Sequence, residues 1–315
     1  MRTSYPRSGS ERRPLSDLSL RAGVDSPGVV IVGMDVEAAA AYAARHALHA
    51  LVVLRGDDVA DERYAAGWNG EKPHALYSGT KSFWGTLAVA AESDGVLSLD
   101  ERVADTIPSW RDDAAKARVT LRELLQLTSG IGFGGLGSAV PSYDAALAAP
   151  LKNAPGERFT YGGIPLQVFG AVLARKLAPR TPHDGLRERI HEPIGIRVGS
   201  WRTLKDGTRP LPTGAFVAAH EWLKFGKLVR DRGCRDGAVV VPEDALARCF
   251  AGSTANPRYG LGWWLSPLAK HPDVVYASGA GGQALYVIPS ANAVVVKFGA
   301  SSSYDHAAFL RRLLG

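Results

Sequence analysis

The spacing of apolar residues changes twice along the chain and indicates which parts form helices and which form strands. Residues 36–48 are rich in alanine and favour a helix, whereas the apolar run 50–54 predicts a strand. A second strand near 62–67 would complete a hairpin. The strand pattern returns in the last quarter of the chain, where we expect strands over 261–265, 274–277, 284–288 and 293–298 and a final helix over 304–314.

The middle of the chain has the apolar spacing of helices. Thr120 followed by Glu123 is a capping box, which predicts a helix running to about residue 127. A glycine-rich loop follows over 130–137. Further helices are predicted over 99–108, 164–177 and 218–229.

Strands at both ends of the chain with helices between them predict one sheet assembled from both ends and interrupted by a helical insertion. We therefore expect an α/β (α+β) fold, with an α/β domain made of residues 28–95 and 232–315 and a mostly helical domain over 96–231. Residues 1–27 are polar and rich in proline, serine and arginine, which predicts a disordered tail.

Charge and hydropathy argue against two classes of partner. The 315 residues carry a formal net charge of +6, and five arginines against two acidic residues place half of this excess in the first 22. No basic run with interleaved aromatic residues occurs elsewhere, so nucleic-acid binding is not expected. No uninterrupted apolar run reaches about 18 residues and no apolar signal core is visible, so we expect a cytoplasmic protein without a membrane segment.

The only two cysteines, Cys234 and Cys249, lack the spacing of a metal site. They are predicted to be ordinary thiols, although a disulfide between them stays open. We expect neither a metal nor another cofactor.

Ser78 and Lys81 stand at the start of an apolar segment that runs to about residue 92. If this segment is a helix, positions i and i+3 lie on one face, so the Lys81 amine can reach the Ser78 hydroxyl. A serine hydroxyl becomes a good nucleophile when an adjacent base takes its proton. Lysine can be that base when burial or a neighbouring cation disfavours its charged form.

Two further pieces of an acyl-transfer site occur downstream. Tyr161 lies in a turn that contains proline and glycine and could present its phenol to a cleft. The run from Ser278 to Gly282 contains three glycines and follows a predicted strand, so its backbone could approach a ligand and supply an N–H to an oxyanion. A helix start at Ser78 would supply a second such N–H.

The order of these segments resembles the serine β-lactamase and penicillin-binding-protein superfamily. The similarity is greatest to its class C and esterase-like branch, which also contains 6-aminohexanoate-dimer hydrolases and D-aminopeptidases. The matching segments, in chain order, are YSGTKSF (77–83), DGVLSLDERV (94–103), LLQLTSG (124–130), PGERFTY (155–161), YGLGW (259–263) and GAGGQ (279–283).

The resemblance assigns roles by position. Ser78 matches the acylated nucleophile, Lys81 its lysine partner and Tyr161 the tyrosine of the family's Tyr-x-Asn element. Ala280 matches the residue whose N–H joins that of Ser78 in the oxyanion hole. Which of Lys81 and Tyr161 is the acylation base stays open. The resemblance also implies that the sheet is antiparallel and that the site lies between the two domains.

Two positions depart from the family pattern and bear on the substrate. Gly163 replaces the asparagine of Tyr-x-Asn, and Ala277 replaces the cation of the third element, which reads Ala277-Ser278-Gly279. That cation would favour a substrate carboxylate through charge-assisted hydrogen bonds. Efficient turnover of penicillins is therefore not expected, and a neutral or differently charged ester or amide is the expected substrate. Gly163, Ser278, Gly279 and Trp201 are the candidate substrate-binding residues.

These observations predict a cofactor-free serine hydrolase that cleaves a small-molecule ester or amide through an acyl-enzyme on Ser78. Two alternatives stay open. The first is a catalytically weak or silent binding or scaffold protein that retains the fold. The second is a cell-wall D,D-peptidase, which would need export. The sequence does not indicate the oligomeric state.

Overall fold

A computed structural model of the protein describes residues 33–132, 134 and 139–315. The predicted tail over 1–27 and residues 135–137 of the glycine-rich loop lie outside the described residues. Within the described ranges, no helix is both long enough and apolar enough to cross a membrane.

The strands of the described chain are short, and only four of them exceed five residues. They are β1 (Leu48–Arg55), β2 (Asp58–Tyr64), β3 (His74–Ala75), β4 (Val198–Trp201), β5 (Ala215–Val217), β6 (Cys234–Arg235), β7 (Ala238–Val239), β8 (Trp264–Leu265), β9 (Val275–Gly279), β10 (Gln283–Ile288) and β11 (Ala293–Gly299).

The α-helices of the same residues lie mostly between the two groups of longer strands. They are α1 (Val36–Arg45), α2 (Lys81–Ser93), α3 (Val103–Thr106), α4 (Leu121–Leu125), α5 (Tyr143–Ala148), α6 (Ile164–Lys176), α7 (Pro182–Leu186), α8 (Ala219–Arg230), α9 (Glu243–Ala247) and α10 (His306–Leu314).

The main sheet is antiparallel and has the strand order β2-β1-β11-β10-β9-β8. Its centre pairs the two ends of the chain, with Val53 opposite Val295. The predicted fold, an antiparallel sheet built from both chain ends with a mostly helical insertion, is confirmed. The residue boundaries proposed for the two domains stay a prediction.

Helices cover both faces of this sheet, and this explains why β10 and β11 are apolar at nearly every position and buried throughout. On one face, α1 and α10 enclose a core that includes Tyr286, Val295 and Phe309. On the other face lies α8, where Trp222 stacks on Phe298 with ring centroids 5.7 Å apart. The helix comes this close because Gly226 has no side chain: a Cβ there would lie 2.3 Å from Val294 Cγ1.

Several predictions about single residues and helices are confirmed. Thr120 caps α4, since its hydroxyl accepts from the Glu123 N–H at 3.2 Å while the Glu123 carboxylate accepts from the Thr120 N–H at 2.8 Å. Cys234 and Cys249 are free thiols. The two long middle helices, α6 and α8, lie within one or two residues of their predicted bounds.

Three predicted elements differ from the structure. The second strand of the hairpin, predicted near 62–67, is β2 and begins four residues earlier, because the turn Gly56-Asp57 leads directly from β1 into it. The helix predicted over 99–108 is the single turn α3, and Pro108 begins a separate 3₁₀ turn, where its fixed φ suits a first helical position. The strand predicted over 261–265 is limited to β8. The residues before it form a turn in which Gly262 has a φ of +76° and packs against the backbone of Lys81.

A small three-stranded sheet, β3-β5-β4, leads the chain into the turn that contains Ser78. His74 and Ala75 pair with Val217 and Phe216, and the Leu76 N–H donates to the Ala215 carbonyl at 2.9 Å. Residue 76 is thus fixed two positions before Ser78.

Candidate active site

Ser78 lies in a 3₁₀ turn, Tyr77–Thr80, that leads directly into α2. The expectation that Ser78 begins the α-helix itself is therefore corrected by one turn. In a 3₁₀ helix the side chains at i and i+3 eclipse one another, which aligns Ser78 with Lys81 more closely than an α-helix would. Tyr77, just before the serine, has a φ of +48°, a conformation that is uncommon for a residue with a side chain.

Lys81 is buried, with 1% of its surface exposed, and its ammonium donates to two oxygens. Its Nζ lies 2.9 Å from Ser78 Oγ and 3.1 Å from the carbonyl oxygen of Pro212. Burial disfavours the charged form and lowers the pKa of Lys81 to about 7. The lysine thus contacts the serine and is poised to exist without its charge at neutral pH.

Tyr161 joins this pair from the turn before α6. Its ring centroid lies 4.9 Å from Lys81 Nζ, and the ring stacks on Trp264 at a centroid distance of 5.7 Å. Burial raises the pKa of Tyr161, while hydrogen bonding to Ser78 and Trp264 acts in the opposite direction. The balance is a raised pKa, so the phenol keeps its proton at neutral pH and has a proton that it can donate.

Gly163 and Gly279 are positions where the backbone comes close to a neighbour. Gly163 precedes α6, and its N–H donates to the Gly134 carbonyl at 2.9 Å. At Gly279 a Cβ would lie 2.0 Å from the Leu76 carbonyl oxygen, so this strand end packs directly on the chain that leads to Ser78. The glycine-rich run and the serine turn are therefore neighbours.

Ser278 contacts a residue far along the chain. Its Oγ lies 2.8 Å from Nε2 of His306, at the start of α10, and Nδ1 of that ring lies 2.7 Å from the Tyr286 hydroxyl. Burial, together with the charge of Lys297, lowers the pKa of His306 to about 4, so the imidazole is neutral at pH 7. The Ser278 side chain is thus paired with a neutral group rather than with a cation.

Trp201 occupies a different environment from the other candidates. Its indole N–H donates to the Pro210 carbonyl at 2.9 Å, and its ring packs edge-on against His183 and Trp84. There it lines a cavity of about 400 Å³ together with His191 and Arg209. Trp84 lies about one turn beyond Lys81 on α2, so this cavity lies close to that helix.

Three groups that contact the candidate residues were not predicted to belong to the site: Trp264, expected only to pack on a sheet face, the Pro212 carbonyl and His306. A weak signal existed for Trp264, which directly follows the YGLGW segment. For Pro212 and His306 the sequence gives no signal, because only the tertiary fold brings them to their partners. Pro212 lies 131 residues from Lys81, and His306 lies 28 residues from Ser278.

Comparison with known proteins shows the family to which the chain belongs. Residues 28–313, which are most of the chain, match the family model described as Beta-lactamase. The chain belongs to the β-lactamase family of serine hydrolases, in the superfamily that also contains the penicillin-binding proteins.

Solved structures with the same fold are distant in sequence. A protein from Bacillus anthracis described as a candidate 6-aminohexanoate-dimer hydrolase has a TM-score of 0.74 at 19% identity, over 85% of this chain and 78% of that one. A D-stereospecific amidohydrolase from a Streptomyces species has a TM-score of 0.67 at 17% identity, covering 88% and 98%. A class C β-lactamase from Rhodobacter sphaeroides has a TM-score of 0.66 at 18% identity, covering 88% and 97%. These likenesses are evidence for the fold alone.

Proposed function

We propose that this protein cleaves an ester or amide bond of a small molecule through an acyl-enzyme on Ser78. The observation that carries the proposal is the 2.9 Å contact between Lys81 Nζ and Ser78 Oγ, made by a lysine whose pKa is about 7. At neutral pH about half of such lysines are neutral, and the free lone pair can accept the serine proton.

The reaction follows from the protonation states of the two partners. Ser78 Oγ attacks the carbonyl carbon, Lys81 takes the hydroxyl proton, and the carbonyl π electrons move to the oxygen. The N–H groups of Ser78 and Ala280 are the proposed donors to that oxyanion. Tyr161 then protonates the leaving group and regains a proton from Lys81. Deacylation reverses these transfers: water attacks the acyl carbon and passes a proton through Tyr161 to Lys81. The bond between the acyl carbon and Ser78 Oγ then breaks, and Oγ takes that proton from Lys81.

The substrate we propose is a neutral small molecule, and no cofactor takes part. Ala277 is buried and has no charge, Gly163 lacks a side-chain amide, and Ser278 pairs with a neutral imidazole. An anionic group would find none of the charge-assisted hydrogen bonds that a cation at position 277 would make. The name of one structural neighbour, a D-stereospecific amidohydrolase, is compatible with an amide as the substrate.

The test is covalent labelling with a fluorophosphonate, which reacts with activated serines. The wild-type protein should be labelled, with the adduct located on Ser78 by peptide mass spectrometry. Ser78→Ala should not be labelled, whereas the exposed-serine control Ser302→Ala should be labelled at the wild-type rate.

Two results would decide against the proposal. Robust labelling of Ser78→Ala would place the nucleophile elsewhere. A folded wild type that is neither labelled nor active on a panel of esters, amides and lactams would instead indicate a silent binding protein that retains the fold.

A further inference from the structure

The turn that carries Ala280 is positioned by contacts at both ends. At its start, Gly279 packs on the Leu76 carbonyl, two residues before Ser78. After it, Gly281 and Gly282 have φ values of +80° and +78°, which residues with side chains rarely adopt. Such a turn has many conformations available unless other contacts fix it, and an oxyanion donor is useful only in a fixed position.

Gln283, the first residue of β10, closes this turn with its side chain. Its Nε2 donates to the Ala280 carbonyl at 2.8 Å and to the Gly299 carbonyl at 2.7 Å. Its Oε1 accepts from the Gly299 N–H at 3.0 Å. Because two carbonyls face one end of the amide and an N–H faces the other, only one orientation of the amide satisfies all three bonds.

Burial makes these bonds costly to lose. Gln283 is 1% exposed, and a polar side chain in the otherwise apolar strand Gln283–Ile288 has no packing reason to be there. A further hydrogen bond, from the Ser301 N–H to the Gly281 carbonyl at 3.1 Å, connects the same turn to the chain beyond β11. The turn is therefore attached to the end of the central strand.

The Ala280 N–H stays available in this arrangement. Among the described residues it donates to no backbone carbonyl, whereas the carbonyl of the same residue is held by Gln283. The Gln283 side chain thus restrains the turn through the Ala280 carbonyl and leaves the Ala280 N–H free.

We propose that Gln283 is a positioning residue that holds the Ala280 N–H in place as an oxyanion donor. The inference rests on the proposed acyl transfer at Ser78. It assigns Gln283 no contact with the substrate; its effect is on how well the site binds a tetrahedral oxyanion compared with a planar carbonyl.

The experiment compares Gln283→Met with the wild type in ester hydrolysis and in binding of an alkylboronic acid, which forms a tetrahedral adduct on an active-site serine. Methionine keeps the length of the side chain and removes all three hydrogen bonds. We expect kcat to fall about 10- to 100-fold with KM within about twofold, because a small misplacement of a catalytic group costs this much. The Kd for the boronic acid should rise by a similar factor.

Gln126→Met is the matched control. Gln126 is also buried and also donates through Nε2 to a backbone carbonyl, that of Ala251 at 3.1 Å. It should lose stability like Gln283→Met but keep the wild-type kcat and boronate affinity. If Gln283→Met does not fold, Gln283→Glu replaces it, since the carboxylate retains the acceptor for the Gly299 N–H and loses the donors.

Two failures are distinguishable. If Gln283 variants keep wild-type kcat and boronate affinity while losing only stability, Gln283 is structural and the inference is wrong. If the wild-type protein shows no labelling at Ser78 and no boronate binding, the proposed function itself fails.

Discussion

As the proposed base, Lys81 should make the reaction rate depend on pH. It must be neutral to accept a proton, and since burial lowers its pKa to about 7, the neutral fraction grows as pH rises through that value. We expect kcat/KM for p-nitrophenyl butyrate to increase about tenfold per pH unit below pH 7 and to level off above it. Initial rates between pH 5 and 9 at constant ionic strength measure this profile.

Two lysine variants sharpen this prediction. Lys81→Arg stays protonated throughout this range, so kcat/KM should fall by about 10²- to 10⁴-fold. The exposed-lysine control Lys205→Arg should keep the wild-type rate and profile. A profile that is flat across pH 7 would show that Lys81 is not the base.

Ala277 leads to a prediction about substrate charge. Without a cation at this position, a terminal carboxylate on the substrate gains no charge-assisted hydrogen bond, which is worth about 1.5–3 kcal/mol. We expect p-nitrophenyl butyrate to be hydrolysed with a higher kcat/KM than the mono-p-nitrophenyl ester of succinic acid, and nitrocefin more slowly than either. Faster turnover of nitrocefin or of the anionic ester would contradict the neutral-substrate proposal.

At the scale of elements, α2 keeps the site together by packing on another backbone segment. A Cβ at Gly85 would lie 1.8 Å from the Leu261 carbonyl oxygen, and the same segment packs on the Lys81 backbone through Gly262. We expect Gly85→Ala to lower the free energy of unfolding by about 1–3 kcal/mol, although alanine favours helices over glycine by about 1 kcal/mol. Urea denaturation measures the change.

Ser93→Ala, at the end of the same helix, is the control and should change the free energy of unfolding by less than about 0.5 kcal/mol. If Gly85→Ala is as stable as the wild type, the close approach of α2 to Leu261 is not a constraint on the fold.

The sequence predicted those elements whose determinants are local. The capping box at Thr120, the apolar runs of β10 and β11 and the alanine-rich α1 are each specified by residues close together in the chain. The sheet β3-β5-β4 was not predicted, because strands of two to four residues carry no period of their own. They form only by pairing, and β3 finds its partner β5 about 140 residues away.

At the scale of the whole molecule, some parts of the candidate site have local determinants in the sequence, and others depend on contacts between distant residues. Ser78 and Lys81 are three residues apart, so local geometry alone predicts their contact. Tyr161 has no local signal that sets it apart from a core tyrosine, and the family resemblance was needed to single it out. The contacts made by the Pro212 carbonyl and by the Gln283 side chain depend on tertiary packing, because neither residue lies near Ser78 in sequence.

The pairing of β1 with β11 has a consequence for how the protein is made. About 240 residues separate Val53 from its partner Val295. A ribosome adding 5–20 residues per second needs roughly 12–48 s to cover that distance. Throughout this interval the apolar strand β1 has only β2 beside it, and its other edge is open to pairing with another nascent chain. The sheet can be completed only when β11 has been made. We therefore expect chaperones to bind the early part of the chain, and we expect chains to aggregate when synthesis stalls before β11.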